Sequence, residues 1–356
     1  ADHLLNDKSR VSADHHHFAV RHIDDAHHPE GDGKADGREQ QHRPQRQAVA
    51  TGCRAGRDGM EHQHRNTRVS VMQVEAFFDD GRTFTLTYVV YDEHSKDAVI
   101  IDPVLDLDTT PWRTFTESID KVARFVADRQ LKVHWVLDTH VHADHLSGAH
   151  ELKERFRSKA AIGSNIAVVQ EIFKGAFNLS RDFPTDGRQF DRLLKHGDTI
   201  EAGTLKIEVM HTPGHTPACN TYKIGDSIFT GDVLFVPDIG VARCDFPRGS
   251  ASDLYRSITQ HLYTLPDETN VYVGHDYPKG RAVRWMTTVG ESKRDNIDLP
   301  ADRSEEEFVR RIHARDKQLA APRLLFPSLQ VNINAGVLPT AENNEVSYLK
   351  IPLNFL

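Results

Sequence analysis

The sequence predicts an α/β protein built from two β-sheets with helices on their outer faces. Three observations carry this. Strand-like and helix-like segments alternate between residues 83 and 275, with strand pairs at the start and in the middle. Several apolar runs end directly in Asp or His. The chain has 356 residues, 38% of them hydrophobic and 27% charged, so it can bury a large core.

Residues 83–91 alternate at their start, with Phe84, Leu86 and Tyr88 between threonines, and read as a strand. Residues 98–102 are an apolar run closed by Asp102 and Pro103, a second strand. Ile119, Val122, Phe125 and Val126 have helical spacing and predict a helix over 118–127. The buried strand 133–137 runs straight into Asp138, Thr139 and His140. Helices are predicted over 147–156 and 165–173, and strands over 206–210, 220–224 and 227–230. Leu254, Ile258 and Leu262 share one side of a helix over 251–262. The strand 271–273 ends at Gly274 and His275. One more helix is predicted over 305–319, and residues 327–356 read as extended and irregular.

Residues 1–71 differ from the rest. They hold ten of the 22 histidines and few large apolar residues. Such a segment cannot bury enough apolar surface to offset its ordering entropy, so it is expected to be a disordered, His-rich tail and not part of the native protein. His15, His16 and His17 can bind divalent metal weakly, which makes a metal-buffering protein the non-enzymatic rival. The expected catalytic domain is 72–356, with an extended C-terminal segment.

A net charge of −8 gives no general attraction to nucleic acid or anionic membrane. No apolar run approaches the roughly 18 residues of a membrane span, and no leader pattern stands at the N-terminus. Three cysteines (Cys53, Cys219 and Cys244) are too few for a disulfide framework and predict reduced thiols in a cytoplasmic protein. Cys219 reads as a small buried hydrophobe, and no catalytic role is assigned to Cys244.

The chemistry concentrates in one segment. His140 and His142 are two apart, a spacing that faces one side of an extended chain. Asp144 and His145 follow where a loop turns into a helix. Side chains of this kind beside apolar strands are costly to bury unpaired, and a metal ion relieves the cost. Three more candidates stand at strand ends: His215, in a tight turn made by Pro213 and Gly214; Asp232, after Gly231; and His275, after Gly274. His211 lies on the far side of its turn and reads as structural.

The pattern H-x-H-x-D-H at 140–145, followed by His215, Asp232 and His275 in that order, resembles metallo-β-lactamase-fold enzymes. That resemblance implies an αββα sandwich of two mixed β-sheets with the site along one edge. Within that superfamily the sequence resembles the persulfide dioxygenases, on Pro213–Cys219, Gly231–Phe235, Ala242–Phe246, Leu254–Ile258 and Gly274–Tyr277. The segments 327–333 and 348–354 look like the bacterial, single-domain branch. The resemblance implies one Fe(II) per chain on His140, His215 and Asp232, with His142, Asp144, His145 and His275 orienting those ligands or holding a second metal. Two histidines and a carboxylate are the facial set of non-haem iron oxygenases. The implied substrate is glutathione persulfide, with Arg243 and Tyr277 in its binding site, and the implied assembly is a homodimer. For Arg243 an ion pair with Asp245 is the plainer alternative.

The main rival is a hydrolase of glyoxalase II type, using two zinc ions and a glutathione thioester. Such enzymes carry a helical C-terminal region. Here a single helix and an extended tail are expected, which argues against that reading.

Overall fold

A computed structural model describes residues 72–354. The expectations for residues 1–71 and for Cys53 lie outside these residues. The chain opens with an antiparallel meander of β1 (Met72–Phe78), β2 (Leu86–Asp92) and β3 (Asp97–Ile101). The hairpin of β4 (Val104–Asp108) and β5 (Arg113–Phe115) and the helix α1 (Glu117–Asp128) then lead to β6 (Lys132–Leu137), parallel to β3. Next come the short β7 (Leu146–Ser147), α2 (Ala149–Phe156), β8 (Lys159–Gly163), α3 (Ile166–Ala176) and β9 (Arg192–Leu194). The first sheet has the order β1-β2-β3-β6-β8-β9, and β5-β4-β7 form a small side sheet.

The second sheet follows in sequence. It comprises β10 (Thr199–Ala202), β11 (Leu205–His211), β12 (Asn220–Ile224), β13 (Ser227–Phe229), β14 (Asn270–Tyr272) and β15 (Met286–Thr288), side by side in that order. Between β13 and β14 lies α4 (Ala251–Ser257), which continues into a π-helical turn at Ile258–Leu262. After β15 come α5 (Val289–Asp295), α6 (Glu305–Asp316) and α7 (Leu325–Asn332). Both large sheets are mixed, since β3, β6, β8 and β9 run parallel and β13 pairs parallel with β14.

The period of two along β2 explains the layers. Leu86, Tyr88 and Val90 pack with Ile207, Val209, Tyr222 and Phe229 of the other sheet. Val89 and Tyr91 point the opposite way, onto Ile119, Val122 and Val126 of α1 and Leu152 of α2. Each such side chain stabilises the fold by roughly 1.5–3 kcal/mol when fully buried. Leu254 of α4, Ile258 and Leu262 of the turn after it, and Phe308 and Ile312 of α6, join the second-sheet core. The result is the expected αββα sandwich.

Several boundaries differ from expectation. Strand β2 begins at Leu86, not residue 83, because Phe84 takes a left-handed φ of 59° that an extended strand cannot hold. Residues 84–86 pair with 274–276 instead: Thr85 bridges His275, and the Leu86 N–H donates to Gly274 O at 2.8 Å. The helix expected from 147 starts at Ala149, since Leu146 and Ser147 form β7. The stretch 327–356 is not wholly extended: Leu325–Asn332 is helical. Pro327 is tolerated there because it lies in the first turn. With α5, α6 and α7 after the last strand, the argument that the chain lacks C-terminal helices loses its basis. Among the described residues, no helix is long and apolar enough to cross a membrane.

Candidate metal centre

Strand ends from both sheets converge on one cluster. β3 ends at Ile101, and Asp102 follows it; β6 ends at Leu137 and leads into the loop that carries His140, His142, Asp144 and His145. The second sheet supplies His215 from the β11–β12 turn, Asp232 after β13 and His275 after β14. His140, His142, His145, His215, Asp232 and His275 are all buried. His211 stands apart at the end of β11, with its Nε2 3.3 Å from Asn165 Nδ2.

Hydrogen bonds decide which ring nitrogen each histidine offers. His215 Nδ1 donates to Arg243 O at 2.7 Å, His145 Nδ1 to Leu146 O at 3.0 Å and His275 Nδ1 to Phe84 O at 3.2 Å. Each of these rings therefore presents Nε2 to the centre. Thr139 Oγ1 donates its single proton to Asp102 Oδ2 at 2.7 Å, so it accepts from His140 Nδ1 at 3.0 Å. His140 also presents Nε2. His142 is turned the other way: its Nε2 donates to Asp102 Oδ1 at 3.0 Å, leaving Nδ1 for the centre.

The inward atoms form two main donor groups, each within 4.8 Å internally: His140, His215 and Asp232; and His142, Asp144 and His145. Asp102, Asp138 and His142 form a third. Asp232 faces both sides of the cluster. Its Oδ2 is 4.0 Å from His140 Nε2 and 3.8 Å from His215 Nε2, while its Oδ1 is 3.3 Å from His275 Nε2. His275 Nε2 is also 3.3 Å from Asp144 Oδ2.

These donors fit a metal ion. His140 Nε2, His142 Nδ1, His145 Nε2 and Asp232 Oδ1 are buried without a hydrogen-bond partner. Leaving such atoms unsatisfied costs roughly 1–3 kcal/mol each, and a cation removes the cost. Burial and surrounding histidine charge hold His140 well below its ordinary value. Burial and the neighbouring His142 push His145 down to about 4. Both rings are therefore neutral near pH 7, the form that binds metal. Burial opposes charge on His142, but Asp102 outweighs it and holds that ring up at about 9, so its Nδ1 must lose a proton before it binds. Burial opposes the Asp144 carboxylate, but His275, His145 and His142 outweigh it and hold it at about 2.

Two glycines permit the approach. A Cβ on Gly274 would lie 2.6 Å from Asp232 Oδ1 and 2.8 Å from Gly231 C. Gly231 has a φ of +49°, and a Cβ there would meet Thr139 Oγ1 at 2.2 Å.

Residues 80–275 match the family described as the metallo-beta-lactamase superfamily. The chain belongs to this superfamily. A probable metallo-hydrolase of Burkholderia pseudomallei is 47% identical over 80% of this chain and 99% of its own length. Glyoxylase B2 of Dictyostelium discoideum is 45% identical over 78% and 96%. The mitochondrial persulfide dioxygenase ETHE1 of Homo sapiens is 31% identical over 72% and 87%. Among solved structures, ETHE1 from Myxococcus xanthus aligns with a TM-score of 0.60 at 35% identity, covering 74% of this chain and all of that one.

Beside this cluster, Arg243 forms the ion pair with Asp245 that stood as its plainer alternative. Its guanidinium donates to both oxygens of Asp245 at 2.6 Å and to Ala320 O at 2.7 Å, and its backbone carbonyl holds His215. Tyr277 is 40% exposed, and its ring lies parallel to His275 with 5.7 Å between centroids. Burial, Asp232 and Asp144 push its phenol well above the ordinary range, so it stays a hydrogen-bond donor. Cys219 and Cys244 are both buried.

Sequence reading missed Asp102 and Thr139 as supports of the metal loop. The only local signal was an Asp closing one apolar run and a Thr one residue past the Asp that closes another. It also missed the role of Asn332, which lies in the segment 327–333 with nothing in its spacing to link it to the metal loop.

Proposed function

We propose that the protein is a persulfide dioxygenase that holds one Fe(II) on His140, His215 and Asp232. The carrying observation is that this group presents two imidazole nitrogens and one carboxylate, the facial set of non-haem iron oxygenases. The likeness to the human persulfide dioxygenase and to the Myxococcus ETHE1 structure supports it. The reaction takes glutathione persulfide, dioxygen and water to glutathione, sulfite and two protons. The sulfane sulfur loses four electrons and dioxygen gains them. Bound iron would supply open positions for the sulfur and for dioxygen.

The chain's own residues set the conditions. Thr139 and Arg243 O hold the His140 and His215 rings with Nε2 turned inward. Tyr277, partly exposed and with its ring parallel to His275, would donate a hydrogen bond to the substrate. Arg243 keeps the His215 turn in place while paired with Asp245. A homodimer and a cytoplasmic setting complete this reading.

A second reading, a dinuclear zinc thioester hydrolase, is favoured by one observation. His142 Nδ1 and His145 Nε2 are left without partners, beside Asp144. The likeness to Glyoxylase B2 points the same way. The test joins metal analysis of anaerobically purified protein to oxygen uptake on glutathione persulfide. One iron per chain, with sulfite formed in step with oxygen consumed, supports the dioxygenase. Two zinc ions, no oxygen uptake and rapid hydrolysis of a glutathione thioester would overturn it.

A further inference from the structure

The loop that carries four donors between His140 and His145 has little regular structure of its own. Its backbone carbonyls are buried and need partners. Two of those partners are a single side chain from far along the chain. Asn332 Nδ2 donates to His142 O at 2.8 Å and to His145 O at 2.8 Å, and Asn332 Oδ1 accepts from the Ser147 N–H at 2.7 Å. The amide orientation follows from its neighbours: reversed, its oxygen would face two carbonyls. Asn332 is buried, so water does not compete for these bonds.

The packing around it is of one piece with the hydrogen bonds. Val141 and Ala143 sit in the same apolar cluster as Leu329 and Ile333 of the α7 region, together with Ile166 and Phe173 of α3. Just beyond α7, Gly336 leaves so little space that a Cβ would lie 2.9 Å from Ser147 O. The loop is thus held from behind at its carbonyls and its apolar side chains, while its imidazoles face the centre.

We infer that Asn332 is a positioning residue for the metal centre, setting the spacing of His142 and His145 through their backbone carbonyls. It touches no candidate donor atom and acts through the loop. This inference rests on a metal being bound at the centre with His142 and His145 ligating or lining it, not on which reaction follows.

The test uses the full-length chain, stripped of metal and titrated with Co(II), following the visible d–d spectrum. Asn332→Asp keeps the shape but removes both donors and turns an oxygen toward two carbonyls. We expect a folded protein by circular dichroism, a changed d–d envelope, and Co(II) affinity lowered about 10–100-fold, as for other supports of metal ligands. Ile312→Val, in α6, serves as a destabilised control and should keep the wild-type spectrum and affinity. Should Asn332→Asp not fold, Asn332→Ser, which retains one donor, carries the test and should give a smaller shift of the same kind. Wild-type spectrum and affinity in a folded Asn332 variant would overturn the inference. Absence of persulfide oxidation in the wild type, with Co(II) binding still sensitive to Asn332, would overturn the proposed reaction and leave the inference standing.

Discussion

Asp102 Oδ1 and His142 Nε2 lie 3.0 Å apart, joining residues separated by 40 positions. The same carboxylate accepts the Thr139 N–H and hydroxyl, each at 2.7 Å. One buried acid thus orients His142 directly and His140 through Thr139. Asp102→Asn should release the His142 ring and weaken metal binding about 10–100-fold while leaving the strands intact. Metal content after dialysis against a graded chelator series reads this, and an unchanged profile would refute the relay.

Asp232 is the one carboxylate in the group formed with His140 and His215. On the proposed assignment, Asp232→Ala should leave the fold in place and abolish retention of iron. Elemental analysis of the variant beside wild type decides it. Full iron and activity would show that the ligand assignment is wrong.

Gly274→Ala would press a methyl group against Asp232 Oδ1 and the Gly231 backbone. Overpacking of this kind typically costs about 1–3 kcal/mol. The expected outcome is a lower thermal midpoint together with reduced metal content. A variant that melts and binds metal like wild type would mean that the two strand ends can separate freely.

Asp97 supplies a pH dependence remote from the candidate metal centre. Burial raises its pKa, but hydrogen bonds from His134, Thr204 and Ser95 outweigh that and hold the carboxyl below its ordinary value. Its contribution is therefore present above the unfolded value of about 3.9 and is lost as pH falls through the folded value. Asp97→Asn should unfold at lower urea than wild type near neutral pH, with the gap closing below about pH 4. A gap that is constant with pH would exclude the linkage.

Burial pushes the Cys219 thiol up to about 12 and the Cys244 thiol well above the ordinary range. The thiolate is the reactive form, so both should resist iodoacetamide near neutral pH until the protein is unfolded. Peptide mass mapping checks each site. Rapid native labelling of either one would contradict its placement.

The donors of the metal centre were legible in the sequence because their chemistry is local. A metal needs particular side chains, and His140, His142, Asp144 and His145 stand together in six residues after an apolar run. The main sheet strands and α1 were legible because one-sided burial imposes a period of two or 3.6. Strand β1 shows no such alternation, since every residue in it is half-buried. Helix α7 was invisible for the opposite reason: Pro327 to Asn332 are all buried, so no polar face marks a period.

Only the tertiary structure decided how the donors are divided and held. Sequence by itself determined the superfamily's sandwich and which seven side chains meet in it. It did not determine that Asp232 turns one oxygen to each side, that His142 offers Nδ1, or that Asn332 grips the loop from 187 and 190 residues away. Those choices depend on hydrogen bonds between residues brought together by folding, and no spacing along the chain encodes them.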